Sequence, residues 1–496
     1  METRGKKVLI FGLGRSGVGA ANLLSGSGAD VTVTDKKPAA ELGEYLQRLS
    51  SSVKLCLGGY PERMNGTDLV VVSPGVPLET EPVARARGKG IKVIGELELA
   101  YHVINSSEFR VRSSEASPEF LAVTGTNGKS TTTTLLDLML KKGGFNTILG
   151  GNIGNALTEE ILRIVVSRQS SENRSAFSVQ RSENNLSLRT PNSELSSLDY
   201  IVAEVSSFQL ESIVEFKPMG ATILNITPDH LDRYHSMDEY SAAKAAIFRN
   251  QDENDYLVLN ADDREVMKVE SEKLKVKSIR PRTLYFSRHR MVEGAYYRDG
   301  AIRFNLPGIP STFNLQPSTF RIKGVHNLEN AMAASAMALL AGCPPEAVAA
   351  ALRDFPGLEH RLEFVRELEG VRYINDSKGT NVGAVMKSLE GFPEPIILIA
   401  GGRDKAGDFG QMRPLIREKV KALILIGEAA EKIKVALDDL TETVVSSDLR
   451  DAVERARGLA KRGDVVLLSP ACASFDMFRD FEDRGHQFKN IVRGLS

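Results

Sequence analysis

AVTGTNGKSTTTTLLDLML, residues 122–140, decides the fold: an apolar strand runs into a glycine-bearing loop and then into a helix that opens directly after Gly-Lys-Ser. That order makes a phosphate cradle. Loop amides and the unsatisfied N–H groups of a helix start converge on an anion, a lysine adds positive charge, and a hydroxyl can reach magnesium. The candidate ATP-binding residues here are Gly125, Thr126, Asn127, Gly128, Lys129, Ser130 and Thr131, with Lys129 also catalytic and Ser130 also a metal ligand. Val123 stands where the usual G-x-x-x-x-G-K-[ST] signature has its first glycine, so this loop is a compact variant.

Upstream lies a second glycine-rich turn, FGLGRSGVGA at residues 11–20. It follows the apolar run Val8-Leu9-Ile10, fits G-x-G-x-x-G through Gly12, Gly14 and Gly17, and is followed by VTVT and Asp35. Alone it would suggest a nicotinamide dehydrogenase. A helix N-terminus, however, recognises phosphate rather than nicotinamide, so the turn is equally suited to another diphosphate.

Around these two loops, short apolar runs alternate with helical patterns, which predicts an α/β fold with parallel sheets. Three α/β domains in series are expected. A Rossmann-like domain covers 1–105, with strands in KKVLIFGLG, VTVTD, VKLCLG, DLVVVSPG and IKVIGELELA; a polar, Ser-rich linker covers 106–119. A central P-loop ATPase-type domain covers 120–324, with strands in FLAVTG, YIVAEVSS, GATILNI and DYLVLN and a β region at TLYFS and GAYYRDGAIRF. A Rossmann-like C-terminal domain covers 325–496, with strands in YINDS, PIILIAGG, KALILIG and DVVLLSPA. Inside the central domain, 166–198 is expected to be a flexible surface insertion, because Ser167 to Ser197 is too polar to build a core.

Composition excludes several classes. Lys and Arg number 63 against 64 Asp and Glu, a formal charge of -1, so no global field favours nucleic acid or an anionic membrane surface. No apolar run reaches the roughly 20 residues a membrane span needs, and no membrane insertion is expected. Three widely spaced cysteines suggest no disulfide framework, and the cytoplasm is the expected compartment.

The compact GTNGKST loop resembles that of the Mur ligases, the ATP-dependent amino-acid ligases of cell-wall precursor synthesis. Five further features of that family recur in order: Glu204 in VAEVSSFQLE, His230 in NITPDHLDRY, Lys244 in YSAAKAAIFRNQ, Asn327 and Asn330 in GVHNLENAMAA, and Asp376 in INDSKGTN. The resemblance implies two magnesium ions held by Ser130, Glu204, His230 and a carbamylated Lys244, and makes Lys129, Glu204, His230 and Lys244 catalytic. It places Asn327, Asn330, Arg361 and Asp376 on ATP. A carboxylate ending a strand beside a phosphate loop suits a hard cation, and carbamylation needs a neutral amine.

The first glycine turn then cradles the diphosphate of a UDP-sugar. By the resemblance Leu13, Gly14, Arg15, Ser16, Asp35, Lys36, Ser73 and Gly75 bind uridine and diphosphate, while Asn152 and Ser206 lie near the sugar and the reacting carboxylate. The terminal segments NDSKGTN, LIAGGRDKAGDF and SPACASFDMFRDFEDRG supply Lys378, Thr380, Lys405, Ser474 and Phe481 as amino-acid-binding residues. Two lysines, two hydroxyls and a ring suit an amino acid with two carboxylates, and these segments resemble the family branch that adds D-glutamate to UDP-N-acetylmuramoyl-L-alanine. The DNPR signature of the diaminopimelate- or lysine-adding branch is absent. The resemblance further implies an acyl-phosphate route, closure of the terminal domain over the nucleotide, and a monomer. A folylpolyglutamate synthase-like enzyme would share the central and terminal domains without needing the first.

Overall fold

The structure, a computed structural model, describes residues 2–61, 64, 66–106, 117–175, 198–231, 233–273, 280–322 and 324–496. It contains three sheets in chain order, whose inner strands are apolar runs of the kind that a sheet covered on both faces requires. The first has β1 (Lys7–Phe11), β2 (Asp30–Asp35), β3 (Lys54–Leu57), β4 (Leu69–Val72) and β5 (Lys92–Gly95) in the order β3-β2-β1-β4-β5, all parallel. These are the five predicted strands.

The central sheet is larger than the sequence suggests. Its strands are β6 (Glu119–Thr124), β7 (Thr147–Gly151), β8 (Tyr200–Glu204), β9 (Gly220–Ile223), β10 (Tyr256–Asn260), β11 (Arg282–Ser287), β12 (Gly294–Arg298), β13 (Ala301–Asn305) and β14 (Asn314–Leu315). They order as β14-β13-β12-β11-β10-β9-β6-β8-β7, with β13 antiparallel to its neighbours β12 and β14. The terminal sheet runs β15-β16-β20-β17-β18-β19, with β15 (Glu363–Leu368), β16 (Val371–Asn375), β17 (Ile396–Gly401), β18 (Val420–Ile426), β19 (Glu442–Val445) and β20 (Val465–Leu468). The short strands β7, β14, β15 and β19 escape a reading by apolar runs. β15 and β19 are half-exposed edge strands with polar residues among the apolar ones.

Two expectations need correction. The helices Val325–Leu340 and Pro345–Asp354 belong to the central core, not to the terminal domain. They pack with Leu135, Met139 and Leu140 of the cradle helix, the Tyr200 hydroxyl donates to Ala341 O at 2.7 Å, and Thr132 donates to Asn330 at 3.2 Å. The alanine-rich helix is buried at every position from Asn330 to Leu339, a pattern that demands cover on all sides. The terminal unit therefore begins after Asp354 rather than at 325. Second, the helix starting at Leu157 continues to Ser175, so the polar stretch from Ser167 opens as regular structure. Residues 176–197 lie outside the described residues, as do 107–116 of the expected linker. Among the described residues, no helix is long and apolar enough to cross a membrane.

The first two units are joined by buried carboxylates on the helix Glu96–Ile104, which follows β5. Glu98, fully buried, accepts from the backbone N–H groups of Val214, Glu215 and Phe216 at 2.9, 2.8 and 3.0 Å, and pairs with His102. These bonds hold its carboxyl below the usual range against the opposing effect of burial. Gly95 approaches the central unit so closely that a Cβ there would sit 2.0 Å from Ser212 Oγ.

Candidate active site

In an open parallel sheet, ligands bind at the carboxyl ends of the strands. The predicted residues follow that rule in all three units. The cradle follows β6, Glu204 ends β8, His230 lies beyond β9, Asp376 follows β16, Lys405 follows β17 and Ser474 follows β20.

The cradle turns at Gly128, whose φ of +85° lies in the left-handed region and whose Cβ, if present, would sit 2.3 Å from Asn330 Oδ1. Only glycine fits there. The loop is fixed by Asn225, which accepts from Asn127 N at 2.8 Å and donates to Asn127 O at 3.0 Å, and by Thr126 Oγ1, 3.2 Å from the Tyr240 hydroxyl. Lys129 Nζ donates to Gly125 O at 2.9 Å and Thr126 O at 2.8 Å. Lys244 Nζ, on a residue only 2% exposed, donates to the same Gly125 O at 2.9 Å and lies 4.6 Å over the Tyr240 ring. Burial, with the nearby Lys129 charge, pushes the Lys244 amine well below its ordinary pKa.

Glu204 is 2% exposed; Oε1 accepts from Asn152 Nδ2 at 2.7 Å, and Oε2 is buried without a hydrogen-bond partner. Such an oxygen calls for a cation. His230 sits at φ +56°, and burial pushes its pKa down, leaving a neutral imidazole suited to metal ligation. Beside it Asp229 bridges the central and terminal units, with Lys405 Nζ at 3.4 Å and Asn381 Nδ2 at 3.1 Å. Arg361 reaches across the same gap and donates to Ser130 Oγ at 3.1 Å.

Between these units lies a cleft of about 580 Å³, lined by Asn127, Gly128, Thr131, Asn327, Asn330, Arg361, Asp376, Lys378, Thr380 and Lys405 among others. Asn330 Nδ2 donates to Asn327 Oδ1 at 3.3 Å. Asp376 accepts from Ser388 and Ser469, both at 2.7 Å, and thereby anchors the loop that carries Lys378 and Thr380. Lys378 Nζ stands 3.5 Å over the Phe481 ring; burial, with the Arg361 charge, pushes its pKa down to about 8. Ser474 is buried nearby, beyond the set lining the cleft.

The UDP-substrate candidates form a separate cluster on the first sheet. Asp35 Oδ2 accepts from Leu13 N at 2.7 Å, and Ser73 Oγ donates to Gly12 O at 2.8 Å, tying the two turns together. The helix Arg15–Gly26, capped by Gly14 and carrying Ser16, points its start into that turn; a Cβ on Gly17 would sit 2.0 Å from Gly12 O. Lys36 lies over Tyr60, and Gly75 has open space around its Cα. Arg15 bonds Gly154 O at 3.2 Å, next to the Asn152 loop, and Ser206 caps the helix Ser207–Leu210 beyond Glu204. The sequence reading missed Asn225, Asp229, Tyr240 and Asn381. Two signals could have found three of them: Asn225 and Asp229 follow a strand end in NITPDH, and Tyr240 precedes Lys244 by one helical turn; no local signal marks Asn381.

A phosphate cradle facing a lysine-bearing terminal wall across one cleft, on three successive α/β sheets, defines an ATP-dependent ligase of the three-unit kind. The chain belongs to the Mur ligase family: the Mur ligase MurD-like N-terminal domain matches residues 6–95, the Mur ligase middle domain 123–338 and the Mur ligase glutamate ligase domain 360–472. It is 43% identical over 499 residues to the UDP-N-acetylmuramoylalanine--D-glutamate ligase of Geotalea daltonii, covering 100% of this chain and 99% of that one. The enzyme of the same name from Pelotomaculum thermopropionicum is 44% identical over 495 residues, covering 99% and 98%. Among solved structures, the UDP-N-acetylmuramate-alanine ligase of Thermotoga maritima shares the fold with a TM-score of 0.58 at 18% identity, covering 98% of this chain and 99% of that one. The MurF ligase of the same organism, solved in complex with ADP, gives 0.56 at 15%, covering 99% and 98%.

Proposed function

We propose that the protein joins D-glutamate to UDP-N-acetylmuramoyl-L-alanine at the expense of ATP, as a single chain, in peptidoglycan precursor synthesis. The observation that carries this reading is the cleft itself, with Asn127, Gly128 and Thr131 of the phosphate cradle on one side and Lys378 and Lys405 on the other. The substrate carboxylate attacks the γ-phosphorus of ATP; a C–O–P linkage forms as the β,γ bond breaks and ADP leaves. The D-glutamate amine then attacks the acyl carbon, a proton is lost, and the tetrahedral adduct expels phosphate to leave the amide.

Phosphoryl transfer asks the protein for position and charge more than for covalent help. Lys129 supplies charge at the phosphates, and Arg361 reaches the same end from the terminal unit. Asn327 and Asn330 meet the adenine side, Asp376 the ribose. Leu13, Asp35, Lys36 and the Ser73 turn hold the UDP end of the acceptor; Asn152 and Ser206 hold its reacting end. Lys378, Thr380, Lys405, Ser474 and Phe481 orient the amino acid. Magnesium fits the orphaned Glu204 oxygen. Ser130 and Glu204 would hold one ion, and His230 with a carbamylated Lys244 the other. Bound there, the metal supplies neutralisation of phosphate charge.

The testing experiment is phosphate release from ATP and UDP-N-acetylmuramoyl-L-alanine with each candidate amino acid. D-glutamate alone should respond; response to another amino acid overturns the assignment. The Lys378 reading gives a second expectation. Its ammonium is charged below a pKa of about 8 and lost above it, so the KM for D-glutamate should rise by about tenfold per pH unit beyond pH 8. Lys378→Arg, which stays charged, should flatten that limb; a KM independent of pH from 7 to 10 refutes the role.

A further inference from the structure

The turn that follows β4 is built from residues that permit two shapes. Ser73 N donates to Phe11 O at 2.9 Å and Ser73 Oγ to Gly12 O at 2.8 Å, so its entry is fixed to the first glycine turn. Val76 N donates back to Ser73 O at 2.9 Å and closes the four-residue turn Ser73-Pro74-Gly75-Val76. Proline second and glycine third suit both common turn types, which differ by a flip of the peptide between those two residues. Type II needs a φ of about +80° at the third residue. Gly75 is not among the glycines of positive φ, so the turn is of the type I kind.

The group that grips this peptide comes from another unit. Arg233 Nη1 of the central unit donates to Pro74 O at 3.3 Å. The guanidinium is itself held in place, because Nη2 donates to Glu211 Oε2 at 2.5 Å and Cζ lies 4.4 Å over the Phe208 ring. Glu211 also accepts from the Tyr234 hydroxyl at 2.5 Å. The Pro74–Gly75 peptide is planar and trans, so with its C=O held toward Arg233 the Gly75 N–H points the opposite way. Among the described residues, no protein acceptor takes that N–H.

We propose that Arg233 is a positioning residue for the UDP-substrate: reaching across from the central unit, it holds the Pro74–Gly75 peptide in one of its two orientations and keeps the Gly75 N–H turned toward the bound substrate. The inference rests on the placement of that substrate at Ser73 and Gly75 given above. Without the guanidinium the turn populates both shapes, and the affinity falls with the fraction still turned correctly.

The test is a binding cycle of Arg233→Met, Gly75→Ala and the double variant, with Kd measured by calorimetry for UDP-N-acetylmuramoyl-L-alanine and, separately, for ATP. A Cβ at position 75 meets no protein atom within 4 Å, yet it disfavours the positive φ of the flipped turn. Alanine there locks the shape that Arg233 otherwise selects. Arg233→Met should therefore raise the Kd for the UDP-substrate about tenfold when position 75 is glycine but only within about twofold in the Gly75→Ala background, and leave the Kd for ATP within about twofold in both. An arginine that merely fastens two units together would be missed equally in either background. An equal loss in both, no loss in either, or a parallel rise for ATP overturns the inference. If the unaltered protein does not bind the UDP-substrate, the proposed function itself fails, a result distinct from binding that ignores Arg233. Should Arg233→Met not fold, Glu211→Gln, which loosens the anchor of the guanidinium, goes through the same cycle with the same outcomes.

Discussion

Lys129→Ala should lose ATP turnover on the order of a hundredfold or more while still binding the UDP-substrate. The ammonium sits half-buried inside the cradle, bonded to Gly125 O and Thr126 O, where a positive charge acts on developing phosphate charge. Removing one such preorganised group typically costs about 3 to 4 kcal/mol of transition-state stabilisation. The UDP end of that substrate is assigned to another sheet, around Leu13, Asp35 and Ser73, and among the described residues none of their hydrogen bonds involves Lys129. Phosphate release in single-turnover mode, beside equilibrium binding of the UDP-substrate, separates the two effects. Turnover at the wild-type rate would reject the cradle as the ATP site.

Lys244→Ala is expected to be impaired to a similar degree, and to regain activity when short-chain carboxylic acids are added. Carbon dioxide reacts only with an unprotonated amine, and burial together with the charge of Lys129, which shares the Gly125 carbonyl, pushes the Lys244 amine toward that form. As a carbamate it becomes an anion, and in the alanine variant a small carboxylate fits the vacated space and replaces that charge. Activity assayed with and without formate, acetate or propionate decides the matter. An alanine variant with full activity and no additive would eliminate the carbamate.

The cradle could be read from the chain because all its parts are contiguous: strand, glycine turn, lysine and helix follow one another within 122–140. The same holds for the glycine turn at Gly12 and for the strands of the first sheet, whose apolar runs have clear ends. What makes Lys244 special is not local. Apart from Tyr240, one turn back on the same helix, its surroundings come from the distant Gly125 and Lys129, and a lysine among alanines otherwise reads as a surface residue. Arg361 and Ser130 meet although they stand far apart in sequence, across a gap between units that no spacing rule anticipates. The helix Val325–Leu340 misled for a related reason. The motif order placed its asparagines with the terminal segments, whereas its alanine-rich faces fit only the crowded space against the cradle helix.

The Glu98 brace has a mechanical corollary. With three main-chain groups of the middle unit gripped by one carboxylate of the first, those two lobes are fastened together like the stationary jaw of a vice. The seat of the UDP end is then held in register with the cradle, and any movement of the third lobe, which carries Arg361, Asp376 and the amino-acid residues, is expected to leave that register unchanged.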